Sequence, residues 1–377
     1  MDQTSDQPVE GRCGEAAARL HHCLLEQHEK EGVLVGPDPV GKVHWRVTRF
    51  VRSYLPWLPG DDRFVYLQGQ AYWIKANVIL FEATGDERYL DLVCRCADQI
   101  ARRQPESGAW LHPPIRFRKG FVSTVEGAWA SLGLLAAFEV TREERHLEAA
   151  TTWYSFQVRE TGFEKVGQGL AANYYSHSSS RIPNVTTMTI WLAEALFQAT
   201  GEDVYREYID PMLLFLKGAQ LDTGELPYDL DRIHFMCFQY NAFQFVDLAN
   251  YYRLSANPDA LEVMRPLAAF LAEGVTARGS CRYSCFEEDP ETNYWTTALA
   301  VALRTAHDLG LLDAFALSER CFAHTLERQH QNGSFDFSYR TYSVLTDRRS
   351  YPRYLAMMLY HLLWREHVVK SSAAGCC

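Results

Sequence analysis

The sequence of 377 residues predicts an all-α protein in which helical hairpins close into a ring. Three observations favour this fold class: a glycine that recurs about every 55 residues, a short turn signal with the same period, and a constant contrast between the two helices that flank each turn. A repeat of this length is typical of stacked units that share one continuous core. We therefore expect a single domain, although the length alone would allow two or three.

The recurring glycine stands at the end of an amphipathic stretch, and in most copies a large side chain follows two residues later. The glycines are Gly32, Gly108, Gly162, Gly224, Gly279 and Gly333. Glu164, which follows Gly162, is the poorest match to the pattern. Because glycine is a common stop signal at a helix C-terminus, each copy predicts the end of a helix and the start of a loop.

Short turns separate pairs of helical patterns at the same period. They are Thr84-Gly85-Asp86, Thr141-Arg142-Glu143, Thr200-Gly201-Glu202 and Ser255-Ala256-Asn257. Each turn joins a C-terminal stop to an acidic residue or an asparagine that can cap the next helix. Every repeat is therefore predicted to be a helical hairpin with one short turn and one long loop.

The two helices of a hairpin differ in their apolar pattern. Residues 65–84 and 183–200 are apolar nearly all round, which predicts helices that are buried on most sides. Residues 86–104 carry apolar side chains at helical spacing and charged side chains on much of the other face. This contrast predicts an inner and an outer ring of helices.

The pattern also predicts where the ring begins and ends. A helix near 13–30 has no partner before it and a helix near 351–367 has none after it, so their pairing would complete an (α/α)6 ring. We expect one domain over 12–369, with disordered tails at 1–11 and 370–377. The other predicted hairpins cover residues 65–104, 123–160, 183–219, 236–275 and 290–330.

Composition excludes several classes of function. The N-terminus is acidic and has no apolar signal region, and no run of eighteen apolar residues occurs, so we expect neither secretion nor a membrane span. Ten cysteines without a signal favour reduced thiols in the cytoplasm. A net charge of −10 argues against a nucleic-acid partner. The final Cys376-Cys377 pair resembles a prenylation tail, but we favour a chance dicysteine end; the sequence does not predict an oligomeric state.

The long loops are predicted to meet at one end of the ring. They cover 105–122, 159–182, 220–235, 276–290 and 331–350. Long loops in a compact domain often carry function, and these lead into the N-termini of the inner helices, whose dipoles favour negative charge. The loops hold equal numbers of acidic and basic residues, so the excess negative charge lies elsewhere. An anionic or polar ligand is expected there, and ordinary salt bridges within the loops are the alternative.

The third loop carries the sharpest candidate for chemistry. Asp229 and Asp231 point the same way if the segment is extended, and two close carboxylates can divide into an acid and a base. Arg232 and His234 follow, and they could tune the pair or hold an anionic group. In the alternative interpretation one aspartate caps the helix that starts near 236 and the other pairs with Arg232.

Other polar and aromatic side chains crowd the loops and the helix turns beside them. The candidates are Trp110, Glu126, Tyr174, His177, Arg181, Tyr240, Asn241, Tyr294 and Asp336. Cys281 and Cys285 are spaced more widely than a zinc knuckle and have no Cys/His pair near them in sequence, so we interpret them as buried thiols and expect no metal. The sequence contains no glycine-rich phosphate loop and no nucleophile-elbow serine, and we expect no cofactor.

One short motif connects the chain to known proteins. Gln104-x3-Gly108-x-Trp110 resembles the repeat of triterpene cyclases, with looser copies that begin at Gln220 and Gln329. Similar turns occur across the α/α-toroid group of proteins. That group includes six-hairpin glycosidases, polysaccharide lyases, sugar epimerases and the β-subunits of protein prenyltransferases. The resemblance covers nearly the whole chain at the level of architecture, and it implies a toroid of six helical hairpins.

The resemblance also helps to separate possible functions. Class II terpene cyclases use an Asp-x-Asp-Asp acid, and Asp229-Leu-Asp231-Arg232 has the wrong residue at its fourth position. The helix-start zinc motif of the prenyltransferases cannot be placed in this sequence. Glycan-active toroids carry Asp/Glu or Tyr/His/Asn/Arg sets on loops around an aromatic cleft, and the five loops match that composition best.

The resemblance therefore implies a carbohydrate-active enzyme: a glycoside hydrolase, polysaccharide lyase or sugar epimerase for an oligosaccharide, including a uronate-bearing one. In a hydrolase, Asp229 or Asp231 would be the acid or base. In a lyase or epimerase, Tyr240 or His234 would abstract the proton next to the carboxylate. Groups that would stabilise the anion or stack on sugar rings are Arg181, Arg232, Asn241, Trp110, Tyr174 and Tyr294. The alternatives are an isoprenoid cyclase or prenyltransferase-like enzyme with an aromatic cavity, and a toroid that binds a glycan or acts as a scaffold without catalysis.

Overall fold

The computed structural model describes residues 9–37, 43–55, 57–58, 63–111, 121–341 and 345–374. The α-helices in these residues are α1 (Val9–Gln27), α2 (Val43–Tyr54), α3 (Leu67–Thr84), α4 (Glu87–Arg102), α5 (Thr124–Thr141), α6 (Glu144–Phe156), α7 (Pro183–Thr200), α8 (Ile209–Ala219), α9 (Cys237–Ser255), α10 (Pro258–Ala272), α11 (Asn293–Asp308), α12 (Phe315–Leu326) and α13 (Pro352–Ala374). The short strands are β1 (Glu29–Lys30), β2 (Val33–Leu34), β3 (Phe163–Val166), β4 (Gly169–Ala172), β5 (Glu291–Thr292), β6 (Ser338–Thr341) and β7 (Leu345–Asp347).

The strands form small antiparallel sheets within the long connections between helices. β1 pairs with β2, β3 pairs with β4, and β6 lies between β5 and β7. The register of the second hairpin places Phe163 opposite Ala172. The strands therefore order the loops and leave the core to the helices, as the all-α prediction requires.

The inner helices follow one another around the core. α3 packs against α5, α5 against α7, α7 against α9, α9 against α11, and α11 against α13, which also packs against α3. α5 shows why these helices lie inside, since every residue from Thr124 to Leu135 is buried. In the outer helix α4, by contrast, the buried residues are Leu92, Val93, Cys96, Ala97 and Ile100. The predicted contrast between inner and outer helices is confirmed.

The N-terminal helix lies beside the C-terminal one. α1 packs against α13 and α12, as the sequence predicts. α1 begins at Val9 and α13 continues to Ala374, so helical structure extends into both segments that were expected to be tails. Residues 1–8 and 375–377, which include Cys376 and Cys377, lie outside the described residues, and the division into one domain with two tails stays a prediction. Within the described residues, no helix is both long and apolar enough to cross a membrane.

The short turns end the inner helices in a left-handed residue. Gly85, Arg142, Gly201 and Ala256 have φ values of 69°, 57°, 74° and 52°, and each N–H donates to the carbonyl four residues earlier. The predicted caps are confirmed for Asp86, which accepts from Arg88 N at 3.0 Å, and for Asn257, which accepts from Asp259 N at 2.9 Å.

Glu143 and Glu202 do not cap their helices, so the prediction is wrong for these two turns. These turns keep the hydroxyl hydrogen bond that the two capped turns also contain. Thr141 Oγ1 accepts from Glu143 N at 3.3 Å, and Thr200 Oγ1 accepts from Glu202 N at 3.2 Å. The same hydroxyls donate to carbonyls in the last turn of the inner helix, so the threonine joins the two helices.

The Gln-x3-Gly repeat links each outer helix to the next. Gln104 Nε2 donates to the carbonyl of Gly108 at 3.0 Å and to that of Ala149, on α6, at 2.9 Å. The corresponding acceptors are Gly224 and Val263 of α10 for Gln220, and Gly333 and Ala16 of α1 for Gln329. Because the last copy joins the end of α12 to α1, the repeat also fastens the N-terminal helix to the final hairpin.

Five of the repeat glycines allow close contact between backbones. A Cβ on Gly224 would lie 2.2 Å from the carbonyl oxygen of Pro266, and one on Gly333 would lie 2.2 Å from that of Arg19. Gly162 differs, since a Cβ there would have no atom within 4 Å. It follows a π-helical turn (Gln157–Thr161) and precedes β3, which explains why its follower Glu164 breaks the sequence pattern.

Candidate active site in the axial cavity

The N-terminal halves of the inner helices surround a cavity of about 90 Å³ on the axis of the ring. All six inner helices contribute side chains to its wall, and two long loops add Tyr174, Ile182 and Tyr228. The helix residues are Gln68, Val125, Trp129, Asn184, Met188, Gln239, Tyr240, Phe243, Asp247, Tyr294, Arg353, Tyr354 and Met357. A cavity with mostly aromatic and apolar walls and a few polar groups is the usual form of a small-molecule site.

Asp247 is the carboxylate among the described residues of this wall. It is 3% exposed, and its Oδ2 accepts a hydrogen bond from Thr187 Oγ1 at 3.1 Å. Burial raises the pKa of Asp247 to about 8, against the opposing effects of the Thr187 hydrogen bond and of Lys75. The carboxyl group is therefore mainly protonated at neutral pH and can donate a proton.

Below Asp247 lies a smaller void on the same axis, and its lining includes Trp191, Tyr360 and His361. The Lys75 Nζ stands 3.9 Å from the centroid of the Trp191 ring. Burial lowers the pKa of Lys75 to about 7 and that of His361 to about 3. Burial thus disfavours charge on Asp247, Lys75 and His361 alike, whereas a protonated Lys75 would lower the pKa of Asp247.

Tyrosines form much of the cavity wall. Burial raises the pKa of Tyr240 and of Tyr294 well above the usual range. The Tyr294 ring stacks on Tyr354 with centroids 4.0 Å apart, and Tyr228 contacts Tyr240 at 4.6 Å. Tyr240 and Tyr294 stay protonated at neutral pH, and the tyrosine rings offer flat faces for stacking.

Arg353 provides a positive charge at the cavity. Its Nε donates to Gln68 Oε1 at 2.7 Å, and the guanidinium lies 5.0 Å from the Tyr66 ring centroid. Glu126 lies 3.7 Å from the guanidinium, so the charge is partly compensated. The buried Oε1 of Gln239 has no hydrogen-bond partner among the described residues, and a bound ligand could supply one.

Solved structures share this architecture. A sugar epimerase from a ruminal bacterium aligns with a TM-score of 0.70 at 11% sequence identity, over 94% of this chain and 98% of that one. The chain folds as an α/α toroid. The all-α toroid predicted from the sequence is confirmed, and the exact count of six closed hairpins stays the interpretation of the sequence.

Two further toroids align over most of the chain. A possible member of the GH105 family from Salmonella enterica has a TM-score of 0.68 at 14% identity, over 98% of this chain and 97% of that one. A family 76 glycoside hydrolase from a bovine Bacteroides thetaiotaomicron strain has a TM-score of 0.65 at 15% identity, over 96% and 78%. No protein-family model and no curated protein matches the sequence. At such identities the similarity establishes the fold alone, and the chemistry must be argued from the site.

The toroid brings three predicted site residues to its axial cavity: Tyr174, Tyr240 and Tyr294. Trp110 lies elsewhere. It is 2% exposed, its Nε1 donates to the carbonyl of Ile100 at 3.1 Å, and its ring packs against Trp153. Its place in the wall between α4 and α6 leaves no face for stacking on a sugar.

The aspartates of the third loop do not line the cavity. Asp231 is 73% exposed and forms an ion pair with Arg181 at 2.6 Å. Asp229 Oδ1 accepts from Asp231 N at 3.2 Å in a local turn, and the exposed Arg232 donates its backbone N–H to the Asp229 carbonyl at 2.7 Å. The alternative interpretation was right that the carboxylates have local partners, but the partner is Arg181, and neither aspartate caps α9.

His234 also lies outside the cavity lining. Its Nδ1 is 2.6 Å from Glu225 Oε2, and its backbone N–H donates to Glu225 Oε1 at 2.8 Å. The hydrogen bond to Glu225 raises the pKa of His234. The side-chain amide of Asn241 is hydrogen-bonded to the backbone. Its Oδ1 accepts from Leu226 N, and its Nδ2 donates to the carbonyls of Leu226 and Cys237.

Three more predicted residues, Glu126, Asp336 and His177, lie outside the cavity lining. Glu126 Oε2 accepts from the N–H groups of Leu67 and Gln68, at 2.7 and 3.2 Å, and so orders the start of α3. Asp336 pairs with His330 at 3.1 Å, and both residues line an open groove separate from the axial cavity. His177 is exposed in a turn, at φ 75°.

The sequence analysis did not choose Asp247, Arg353 or Gln239 as site residues. Asp247 lies in the body of a helix that had been predicted to be buried, whereas Arg353 and Gln239 lie in the first helical turns beside the polar loops. One signal could have found the first: Phe245-Val246-Asp247-Leu248 places a carboxylate inside a nearly apolar segment of an inner helix. A charged residue at such a position must be paired, protonated or functional.

Proposed function

We propose that this toroid is a carbohydrate-active enzyme and that Asp247 is its proton donor. One observation carries the proposal: a buried, largely protonated carboxyl group lies in the wall of an axial cavity that also holds stacked tyrosines and an arginine. The neighbours described as a sugar epimerase and as glycoside hydrolases support a sugar substrate by analogy of fold.

The wall favours a sugar that carries a carboxylate. Tyrosine rings can stack on the apolar face of a sugar, and Gln68, Asn184 and Gln239 can bond its hydroxyls. The Arg353 guanidinium matches a carboxylate in geometry and charge. The small volume of the cavity favours the terminal unit of an oligosaccharide, so the proposed substrate is a uronate at a chain end.

The protonation states favour a reaction that begins with proton donation. Ordinary acid–base hydrolysis of a glycoside uses two carboxyl groups, and Asp247 is the one carboxylate among the described lining residues. Asp247 and Tyr240 are both protonated at neutral pH, so neither is ready to abstract a proton. A 4,5-unsaturated uronide is an enol ether that a single acid can protonate at C4. Water then adds at C5 and returns a proton to the carboxylate, and the hemiketal that forms opens with release of the next sugar from C1.

Ultraviolet absorbance tests the proposal, because the unsaturated uronide absorbs and its saturated counterpart does not. We expect absorbance to fall when the enzyme acts on unsaturated uronate oligosaccharides, and we expect Asp247→Asn to abolish the change. A rise in absorbance with saturated oligosaccharides would reveal a lyase instead. Binding without any turnover, unchanged in Asp247→Asn, would favour the non-catalytic toroid.

An isoprenoid cyclase is the second candidate, and one observation favours it. A protonated Asp247 beside Trp129 and Phe243 could protonate an alkene and stabilise the cation that forms. The polar side chains of Gln68, Gln239 and Arg353 favour a sugar over a hydrocarbon. Ligand-detected screening of prenyl diphosphates in parallel with uronate oligosaccharides separates the two, since each class predicts binding of one set and not the other.

A further inference from the structure

A second cluster of reactive side chains lies between the third and fourth long loops, outside the axial cavity. Glu225, His234 and Cys285 place one ligand atom each within 4.8 Å of the others. Cys237, the first residue of α9, lies outside that group of three, but its thiol is close enough to the Cys285 thiol for its pKa to be raised. An imidazole, a carboxylate and a thiol therefore meet at one place with a second thiol nearby, although almost fifty residues separate Cys237 from Cys285.

The distances describe a convergent set of donors. The carboxylate atom Glu225 Oε2 is 2.6 Å from His234 Nδ1 and 3.8 Å from Cys285 Sγ. A nucleophile–histidine–carboxylate relay would place the sulphur at the far nitrogen of the ring, well beyond reach of the carboxylate. Here the sulphur and the ring nitrogen approach the same carboxylate oxygen, which is the arrangement of ligands around an ion.

The backbone holds this arrangement against its own preference. His234 and Met236 have φ values of 61° and 45°, in the left-handed region that residues with side chains rarely adopt. These two turns bring the backbone N–H and the ring of His234 onto Glu225, which is fully buried. The spacing His234-x2-Cys237 is also the short spacing at which two ligands of a zinc site can point to one centre.

We propose that Glu225, His234, Cys237 and Cys285 form a structural zinc site. The donor set of sulphur, nitrogen and oxygen suits Zn²⁺, and four protein ligands suit a closed tetrahedral site. In such a site the ligand atoms lie about 3.3–3.8 Å apart, so the Glu225–Cys285 separation already fits. The Glu225–His234 contact lengthens when the proton between them is displaced, and the thiols lose their protons as the metal binds.

A zinc ion at this site would fix the third and fourth long loops to each other. Glu225 and His234 bracket a segment of the third loop, Cys285 belongs to the fourth, and Cys237 begins α9. Tyr228 lies within the bracketed segment, lines the axial cavity and contacts Tyr240. Zinc would therefore hold one wall of the cavity without taking part in its chemistry, so the inference does not depend on the proposed reaction.

Metal content of the full-length protein tests this directly. The chain is produced in zinc-supplemented medium, purified without chelator and measured by elemental analysis and native mass spectrometry. We expect one zinc ion per chain. Replacement by Co²⁺ is expected to give the strong visible bands of tetrahedral cobalt and a thiolate-to-cobalt charge-transfer band.

Cysteine variants locate the site. Cys285→Ser and Cys237→Ser are each expected to reduce the charge-transfer band by about half and to weaken zinc binding at least tenfold. Cys281→Ser is the matched control, because Cys281 is a buried cysteine of the same loop and its thiol donates to the carbonyl of Arg282 instead. It should leave both signals unchanged.

Three results would overturn the proposal. One is a folded wild-type protein that takes up neither Zn²⁺ nor Co²⁺; this measurement stays decisive even if a cysteine variant fails to fold. Another is equal metal binding by wild type, Cys285→Ser and Cys237→Ser. The third is a Cys237–Cys285 disulfide in metal-free protein that thiol reduction does not convert into a zinc-binding form, which would make the pair a redox element.

Discussion

Carboxylates lie both in the axial cavity and in the long loops, but their surroundings differ. Asp247 is buried among aromatic rings with one hydroxyl donor, and its pKa rises to about 8. Asp231 is 73% exposed and has Arg181 at 2.6 Å. Burial without a full set of hydrogen-bond donors can turn a carboxyl group into an acid at neutral pH. Burial is therefore a better guide to the proposed site than the density of charged residues.

The largest effect should come from the buried carboxylate. Asp247→Asn keeps the shape and the contact with Thr187 but removes the acidic proton, so turnover of the sugar substrate should fall by about 10²–10⁴-fold. Steady-state kinetics on the oligosaccharide found in the screen measures the change. A variant that retains most of the wild-type kcat would remove Asp247 from the mechanism.

A backbone comparison within the loops should give the next largest effect, on stability. Gly224→Ala adds a Cβ that meets the Pro266 carbonyl at a φ of 90°, and it should cost about 2–4 kcal/mol of unfolding free energy. Gly85→Ala, in the first short turn, is the matched control, since its φ is 69° in the left-handed helical region and no atom lies within 4 Å; it should cost about 1 kcal/mol. Urea unfolding of both variants measures the difference, and equal losses would contradict the account of the repeat.

Stability against pH separates the two kinds of carboxylate. The folded pKa of Asp247, about 8, lies above its ordinary value of 3.8, so its contribution to stability is fully present below about pH 4 and is lost as pH rises through 8. Wild type should therefore lose stability relative to Asp247→Asn between these limits, as measured by urea unfolding at several pH values. Parallel curves for the two proteins would show that Asp247 titrates normally.

The smallest effect should come from the exposed pair. Asp231→Asn breaks the ion pair with Arg181 in a solvated loop, where such pairs contribute about 0–1 kcal/mol. Unfolding free energy should change by less than about 0.5 kcal/mol, and turnover should stay within twofold. Loss of activity comparable to that of Asp247→Asn would move the catalytic site to the third loop, where the sequence had placed it.

The ring could be predicted because its determinants are local and repeated. A glutamine that bridges two carbonyls and a glycine four residues later recur at Gln104, Gln220 and Gln329 with the same geometry. Because each copy needs the same residues at the same spacing, the repeat can be recognised in the sequence alone.

The site could not be predicted in the same way, because its residues occur once and come from different helices. The pKa of Asp247 is raised by burial among side chains of other helices, and the sequence does not show which side chains surround it. The polar residues of the loops suggested chemistry, but His234, Asn241 and Asp231 already have partners within the loops. Cys285 and Cys237 illustrate the same limit, since only the fold brings them together. Tyr240 was found because it lies both at a loop end and on an inner helix.

A crystal structure of Asp247→Asn with a bound uronate oligosaccharide tests the central claim most directly, since the variant should bind substrate without converting it. The account predicts a terminal sugar in the axial cavity, with its carboxylate on Arg353 and its reacting atom within hydrogen-bond distance of residue 247. A sugar bound at the third loop, or a terminal unit that does not approach residue 247, would contradict it.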